Sequence, residues 1–134
     1  MREYVRQQTS VLLRRFAFQL NRAAKLGDEE CIHDLRVAIR RLSRCLRVFS
    51  QFYPKGSWKK LRRELSVLMD TAAEVRDRDI ALACLAGAGV PRKAAIVTEL
   101  VEERRKAGSE LVLEARRWKS RSFSRKWRGQ LELE

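Results

Sequence analysis

The sequence has little that breaks a helix: 6 glycines and 2 prolines in 134 residues. That excludes a collagen-like or linker-rich chain. Aromatic residues are 7%, thin for a β-sandwich. Its 3 cysteines, Cys31, Cys45 and Cys84, are odd in number and widely spaced. They give neither a disulfide framework nor a zinc spacing. No apolar run approaches the ~18 residues of a membrane span. The opening MREYVRQQTS lacks the apolar stretch of a signal peptide. A reducing, cytoplasmic setting without membrane contact is expected. There is no P-loop, no nucleophile–base motif and no metal-ligand cluster. Gly87-Ala88-Gly89 is too short for a nucleotide loop. Asp77 and Asp79 diverge by about 200° on a helix and make no acid/base pair. Neither catalysis nor a cofactor nor a metal is therefore expected.

What is present is helix-forming sequence: 45% hydrophobic and 35% charged residues, rich in Leu, Ala, Arg and Glu. Gly27-Asp28, Pro54-Lys55-Gly56 and Gly87 to Pro91 divide the chain into periodic segments. Helices are predicted at about 3–26, 29–52, 58–86 and 92–118, with Asp28 and Ser57 as caps. The stretch after 118 either continues the last helix or turns back on it. The closing LELE is left out of the fold argument, and a single domain is expected over residues 1–131.

On a wheel of ~100° per residue each segment has an apolar side. The first gathers Val5, Leu12, Phe16, Leu20 and Ala23. The second gathers Ile32, Leu35, Ile39, Leu42, Leu46 and Phe49. The third runs from Trp58 and Leu61 through Leu65, Leu68, Met69, Ala72 and Val75 to Ile80. The fourth gathers Ile96, Leu100, Ala107, Leu111 and Trp118. Four such helices with short links predict an all-α, up-down-up-down bundle.

Charge is the informative feature. Lys and Arg total 30 against 17 Asp and Glu, a net charge of +13. Residues 31–63 hold 10 of the basic residues and one acid, Asp34, a local charge of +9. Residues 64–114 hold 7 basic and 10 acidic residues, a net −3, and residues 115–131 hold 7 basic and none acidic. A chain that only needed solubility would interleave the signs.

In the second helix His33, Arg36, Arg40, Arg44 and Arg47 recur at spacings of 3, 4, 4 and 3. They form a stripe about 80° wide and about 21 Å long, with Arg41 beside it. Like charges four residues apart each cost a helix a few tenths of a kcal/mol. Such a row makes sense if a long anion lies along it, and the planar fork of Arg suits phosphate oxygens. Lys59, Lys60, Arg62 and Arg63 extend the patch. The competing account is a solvated helix face, but acids are almost absent from it. His33 has no second histidine to share a metal. Arg76, Asp79 and Arg104 fall in or near apolar stripes. They predict either an internal ion pair fixing helix register or cations reaching towards the stripe.

The run His33-Asp34-Leu35-Arg36-Val37-Ala38-Ile39-Arg40-Arg41-Leu42, with Phe49 after it, resembles the signature of the CHAD family, the conserved histidine α-helical domain. Leu65 to Ile80, closing on Val75-Arg76-Asp77-Arg78-Asp79-Ile80, looks like the family's third-helix "RDxD" block. Ser122-Phe123 resembles the usual close of the first half. The resemblance runs from about residue 3 to 128. It implies an all-α fold binding inorganic polyphosphate, with polyphosphate granules and CYTH-type triphosphate hydrolases as frequent company. Residue by residue it implies roles for His33, Arg36, Arg40, Arg41, Arg44 and Arg76. Charge and spacing add Arg47, Lys59, Lys60 and Arg63. Family members have two four-helix halves, and this chain matches the first. A homodimer rebuilding the pair, a fragment and a minimal half are the open readings.

Three functions compete. A non-catalytic polyphosphate module and a helical nucleic-acid binder both need a basic groove. The basic side of the second helix carries no ring on which bases could stack, which favours bare phosphate. An enzyme acting on polyphosphate or a nucleoside triphosphate would want carboxylates and metal beside the stripe, and an accessory module to a triphosphate-hydrolysing enzyme is a further alternative. Trp118, Phe123 and Trp127 are expected to close the bundle or form an oligomer contact.

Overall fold

The computed structural model describes residues 2–133. They are all-α, with no strand among them. The helices are α1 (Arg2–Lys25), α2 (Glu29–Val48), α3 (Ser57–Gly87), α4 (Ala95–Ser120) and α5 (Phe123–Gln130). α1 packs on α2 and α4, and α3 packs on the same two, so the long helices form a closed ring of neighbours. α5 folds back on α1 and α4.

The boundaries follow local chemistry. Asp28 is extended and its side chain accepts from the Cys31 N–H at 2.8 Å. Such a cap contributes about 1 kcal/mol to a helix. Ser57 does not cap α3, contrary to its placement beside the turn. Gly56 holds the cap position at φ 82°, and the Ser57 hydroxyl donates instead to the Pro54 carbonyl at 2.8 Å. α2 stops at Val48, short of the predicted 52, and one 3-10 turn (Ser50–Phe52) follows. That turn delivers Tyr53 to the core, where its hydroxyl lies 2.7 Å from that of the fully buried Thr9. Burial pushes the Tyr53 phenol far above its ordinary pKa. The contact ties the α2–α3 link to α1 and fixes where α3 begins. α4 starts at Ala95 and not 92, because Ala94 is still extended. After α4 the chain turns back: Ser122 takes the left-handed conformation at φ 52° and separates α5.

The predicted stripes form one core, with Phe16, Leu35, Leu42, Leu65 and Leu68 wholly buried, and in α1 it is Leu13 that is fully buried in place of the expected Leu12. Leu12 and Phe49 are half-buried against it. Trp118, Phe123 and Trp127 are buried and surround Phe16, with ring centroids 5.3 to 6.1 Å apart. Leu131 belongs to this core too, at 2% exposed, although the tail was set aside on sequence grounds. Ile80 and Ile96 do not. They are 46% and 53% exposed, and no residue from 76 to 106 is buried. The burial in α3 ends at Val75 and resumes in α4 at Ala107. The α3–α4 hairpin therefore runs on past the α1–α2 turn, and its apolar stripe outlasts the core it was expected to cover.

The hairpin is clamped where it leaves the core. Arg104 of α4 donates from Nε to Asp79 of α3 at 3.0 Å and from Nη2 to the Gly27 carbonyl. Gly108 makes room for this, since a Cβ there would come within 2.7 Å of the Arg104 guanidinium. Of the two accounts of these buried charges, the internal pair is the one found, as Arg104–Asp79 and not Arg76–Asp79.

Candidate functional site

α2 and α3 enclose a cleft of about 630 Å³ lined by Arg40, Ser43, Arg44, Arg47, Arg62 and Asp70, with Ile39 and Met69 among its apolar residues. The α2 spacing explains the α2 wall. Arg40, Arg44 and Arg47 fall within about 60° of one another and Ser43 flanks them on the side facing α3. From α3, Arg62 points back across the cleft and donates from Nε to the Ser43 hydroxyl at 3.2 Å. Arg62 also lines the adjoining depression with Trp58, Lys59, Arg63 and Ser66. The Lys59 ammonium sits over the Trp58 ring, 5.6 Å from its centroid.

The predicted cations are thus not one row. Arg40, Arg44 and Arg47 share the main cleft with Arg62, and Lys59 and Arg63 line its continuation. His33 is exposed, and Arg36 is half-buried with its Nε buried and without a hydrogen bond. Neither lines the cleft. Lys60 is exposed and lines neither depression. Arg41 is one residue, or about 100°, beyond Arg40. It therefore turns to the other edge of α2, into a smaller depression of about 230 Å³ with Arg15, Gln19 and Asp34. Arg76 lies far along α3 and meets Glu29 at the start of α2, 3.5 Å away.

Sequence reasoning placed Arg62 only among neighbouring cations, yet it joins the two depressions. Ser43 and Ser66 were not considered. The available signal was the α3 series Trp58, Arg62, Ser66 and Met69, which keeps one edge of that helix beside α2.

The electrostatics are one-sided. Among the described residues the ion pairs engage Arg22, Arg76, Arg78, Arg104, Arg105 and Arg117. None engages Arg36, Arg40, Arg41, Arg44, Arg47, Lys59, Lys60, Arg62 or Arg63. Asp34, the lone acid of the basic third, accepts from Arg22 at 3.1 Å and raises that guanidinium's pKa. It links α1 to α2 and leaves the cleft unneutralised. Asp70 is the one carboxylate lining the cleft and has no ion-pair partner among the described residues. Guanidinium groups sharing one cleft repel each other, and an anion entering it removes that repulsion while accepting their hydrogen bonds. Among the described residues no group of three or more His, Cys, Asp or Glu is placed to hold a metal ion, and no helix is long and apolar enough to cross a membrane.

A family model described as the CHAD domain matches residues 10–132. No curated protein and no solved structure matches the chain. The match spans nearly the whole chain and includes both sequence blocks, the α2 run from His33 and the α3 run to Ile80, together with the cleft between them. The chain belongs to the CHAD domain family.

Proposed function

We propose that the α2–α3 cleft binds inorganic polyphosphate without cleaving it. The observation that carries this reading is the set of guanidinium groups, Arg40, Arg44, Arg47 and Arg62, that share a cleft and have no carboxylate partner. Lys59 and Arg63 continue the track along α3. His33 is exposed on α2 outside the cleft and can meet a chain that overruns it, whereas Arg41 faces α1 and Arg76 pairs with Glu29, so neither joins this track. A cleft longer than one phosphate suits a repeating polyanion better than a single small ion. The cellular setting that fits is the cytoplasm, at polyphosphate granules, with a triphosphate-hydrolysing enzyme as one candidate to be accompanied.

Nucleic acid is the alternative, and Trp58 is the observation that favours it, because a ring beside basic residues can stack a base. Its face is occupied by Lys59, and no other ring borders the cleft. Competition between long-chain polyphosphate and single-stranded DNA at fixed salt separates the two. Polyphosphate is expected to displace DNA at a lower phosphate concentration than the reverse exchange needs. Binding should weaken steeply with salt, by about 0.7 in log–log slope per phosphate neutralised. DNA displacing polyphosphate more readily would overturn the assignment.

The wider architecture we infer is an up-down-up-down four-helix bundle, since consecutive long helices are neighbours joined by short links. It is taken to pair as a homodimer in the manner of the family's two halves. The surface for this is the α3–α4 hairpin, where Ile80, Ile96 and Val101 are 46 to 53% exposed. Residues 79–101 carry Asp79 and Glu99 against Arg92 and Lys93, a net charge of zero in a chain of +13. Two such basic molecules meet with least repulsion there. Sedimentation should give a dimer that Ile80→Lys with Ile96→Lys converts to a monomer. A wild type that sediments as a monomer throughout removes the pairing.

A further inference from the structure

The basic run after residue 114 takes no part in the α2–α3 cleft. Several of its charges have other employment. Arg116 donates to the Ala24 carbonyl, Arg117 pairs with Glu114, and Arg121 lies over the Trp118 ring. Lys119, Arg125, Lys126 and Arg128 are left over, none of them in an ion pair among the described residues. The aromatic box accounts for their direction. Phe123 and Trp127 are buried against Phe16 and Trp118, so the opposite side of α5 carries Arg125 and Lys126 outward.

Between α1 and the α4–α5 corner this leaves a depression of about 460 Å³. Its polar lining is Asn21, Lys119, Ser122, Ser124, Arg125 and Arg128, with no carboxylate. Arg128 makes one contact, to the neutral Ser10 hydroxyl at 3.0 Å. Three cations with two hydroxyls and an amide are a donor set for phosphate oxygens. No residue is shared with the α2–α3 cleft. Because α1 and α3 are each flanked by α2 and α4, the α1–α4 side of the ring lies across the core from the α2–α3 side.

We propose that this depression is a second phosphate-binding face, and that one molecule holds two polyphosphate chains at once and bridges them. The identity of the polyanion rests on the reading of the α2–α3 cleft, whereas the second face rests on its own lining. Two faces on opposite sides of a small bundle cannot readily follow one short stretch of chain, but they can join two strands. Every bridging molecule then adds to chain condensation without any new contact between proteins.

The test uses immobilised long-chain polyphosphate to capture the protein, followed by a wash and by end-labelled soluble polyphosphate. Wild type should be captured and should then retain the label. Lys119→Gln with Arg125→Gln and Arg128→Gln should be captured to a similar level and retain about tenfold less label. Lys119→Gln with Arg125→Gln alone replaces no side chain that hydrogen-bonds within the described fold, and serves if the triple variant is unstable. Label retained equally by variant and wild type overturns the proposal and assigns bridging to the two clefts of a dimer. Wild type captured without recruiting label overturns it while the cleft reading stands. Wild type not captured at all overturns both.

Discussion

Replacing Arg40, Arg44 and Arg62 together by glutamine should weaken polyphosphate binding by on the order of 100-fold at moderate salt. A hydrogen bond to a charged group contributes about 1.5–3 kcal/mol, and solvent around an open cleft reduces this to about 1 kcal/mol each. Three such losses, about 3 kcal/mol, correspond to that factor. The slope of log affinity against log salt should fall by about 2, because three phosphate contacts release fewer counterions. Glutamine keeps the first two methylenes of each side chain at exposed or half-buried positions, so helicity and melting should barely change. Removing like charges from adjacent turns of α2 relieves repulsion and could only favour that helix. The control is Arg105→Gln with Arg117→Gln, both ion-paired on α4, which should move affinity far less. Equal loss in the control would make the effect one of net charge and not of the cleft.

The comparison of Arg44 with Arg41 shows how much of this was legible in sequence. A spacing of 3, 4, 4 and 3 fixes one side of a helix, so Arg40, Arg44 and Arg47 were correctly brought together. Periodicity on a single helix does not say which helix lies alongside. Arg36 is therefore half-buried outside the cleft, and Arg41 faces α1. Arg62 becomes central only when α3 is laid against α2, which its own pattern does not reveal. The caps divide in the same way. Asp28 acts through its own first turn and was readable, whereas Ser57 lost its role to Gly56, whose positive φ comes from the turn before it. Ile80 and Ile96 mark the other kind of failure. An apolar stripe states that something is to be covered, not that this molecule covers it. The core ends where α1 turns into α2, and the hairpin beyond has only itself for company. Leu131 errs in the opposite sense, because a short tail with no period is still buried in the core.

That box carries the last and largest expected effect on stability. Phe16→Ala should destabilise the fold by about 3–5 kcal/mol, the range for removing a buried aromatic ring with partial collapse around it. Phe16 is 0% exposed and meets Trp118, Phe123 and Trp127. At roughly 3–6 °C per kcal/mol for a chain of this size, the melting temperature should drop by on the order of 15 °C. The loss should not be uniform. α5 is 8 residues long, below the length that holds a helix in water, and it packs chiefly on α1 and α4. Without Phe16 its two buried rings lose their partner on α1 and keep only Trp118 of α4, so α5 should loosen before the long helices do. Tryptophan emission, which reports Trp118 and Trp127 together with Trp58, should shift to the red at lower denaturant than the loss of helicity. Label recruitment by captured protein should fall in that same range, since Arg125 and Arg128 are carried by α5, which Phe123 and Trp127 anchor to the core. Phe16→Leu, which keeps most of the volume, should lose about half as much stability and leave the two transitions together. A Phe16→Ala cost below about 1 kcal/mol would mean that the ring is not the centre about which α1, α4 and α5 close.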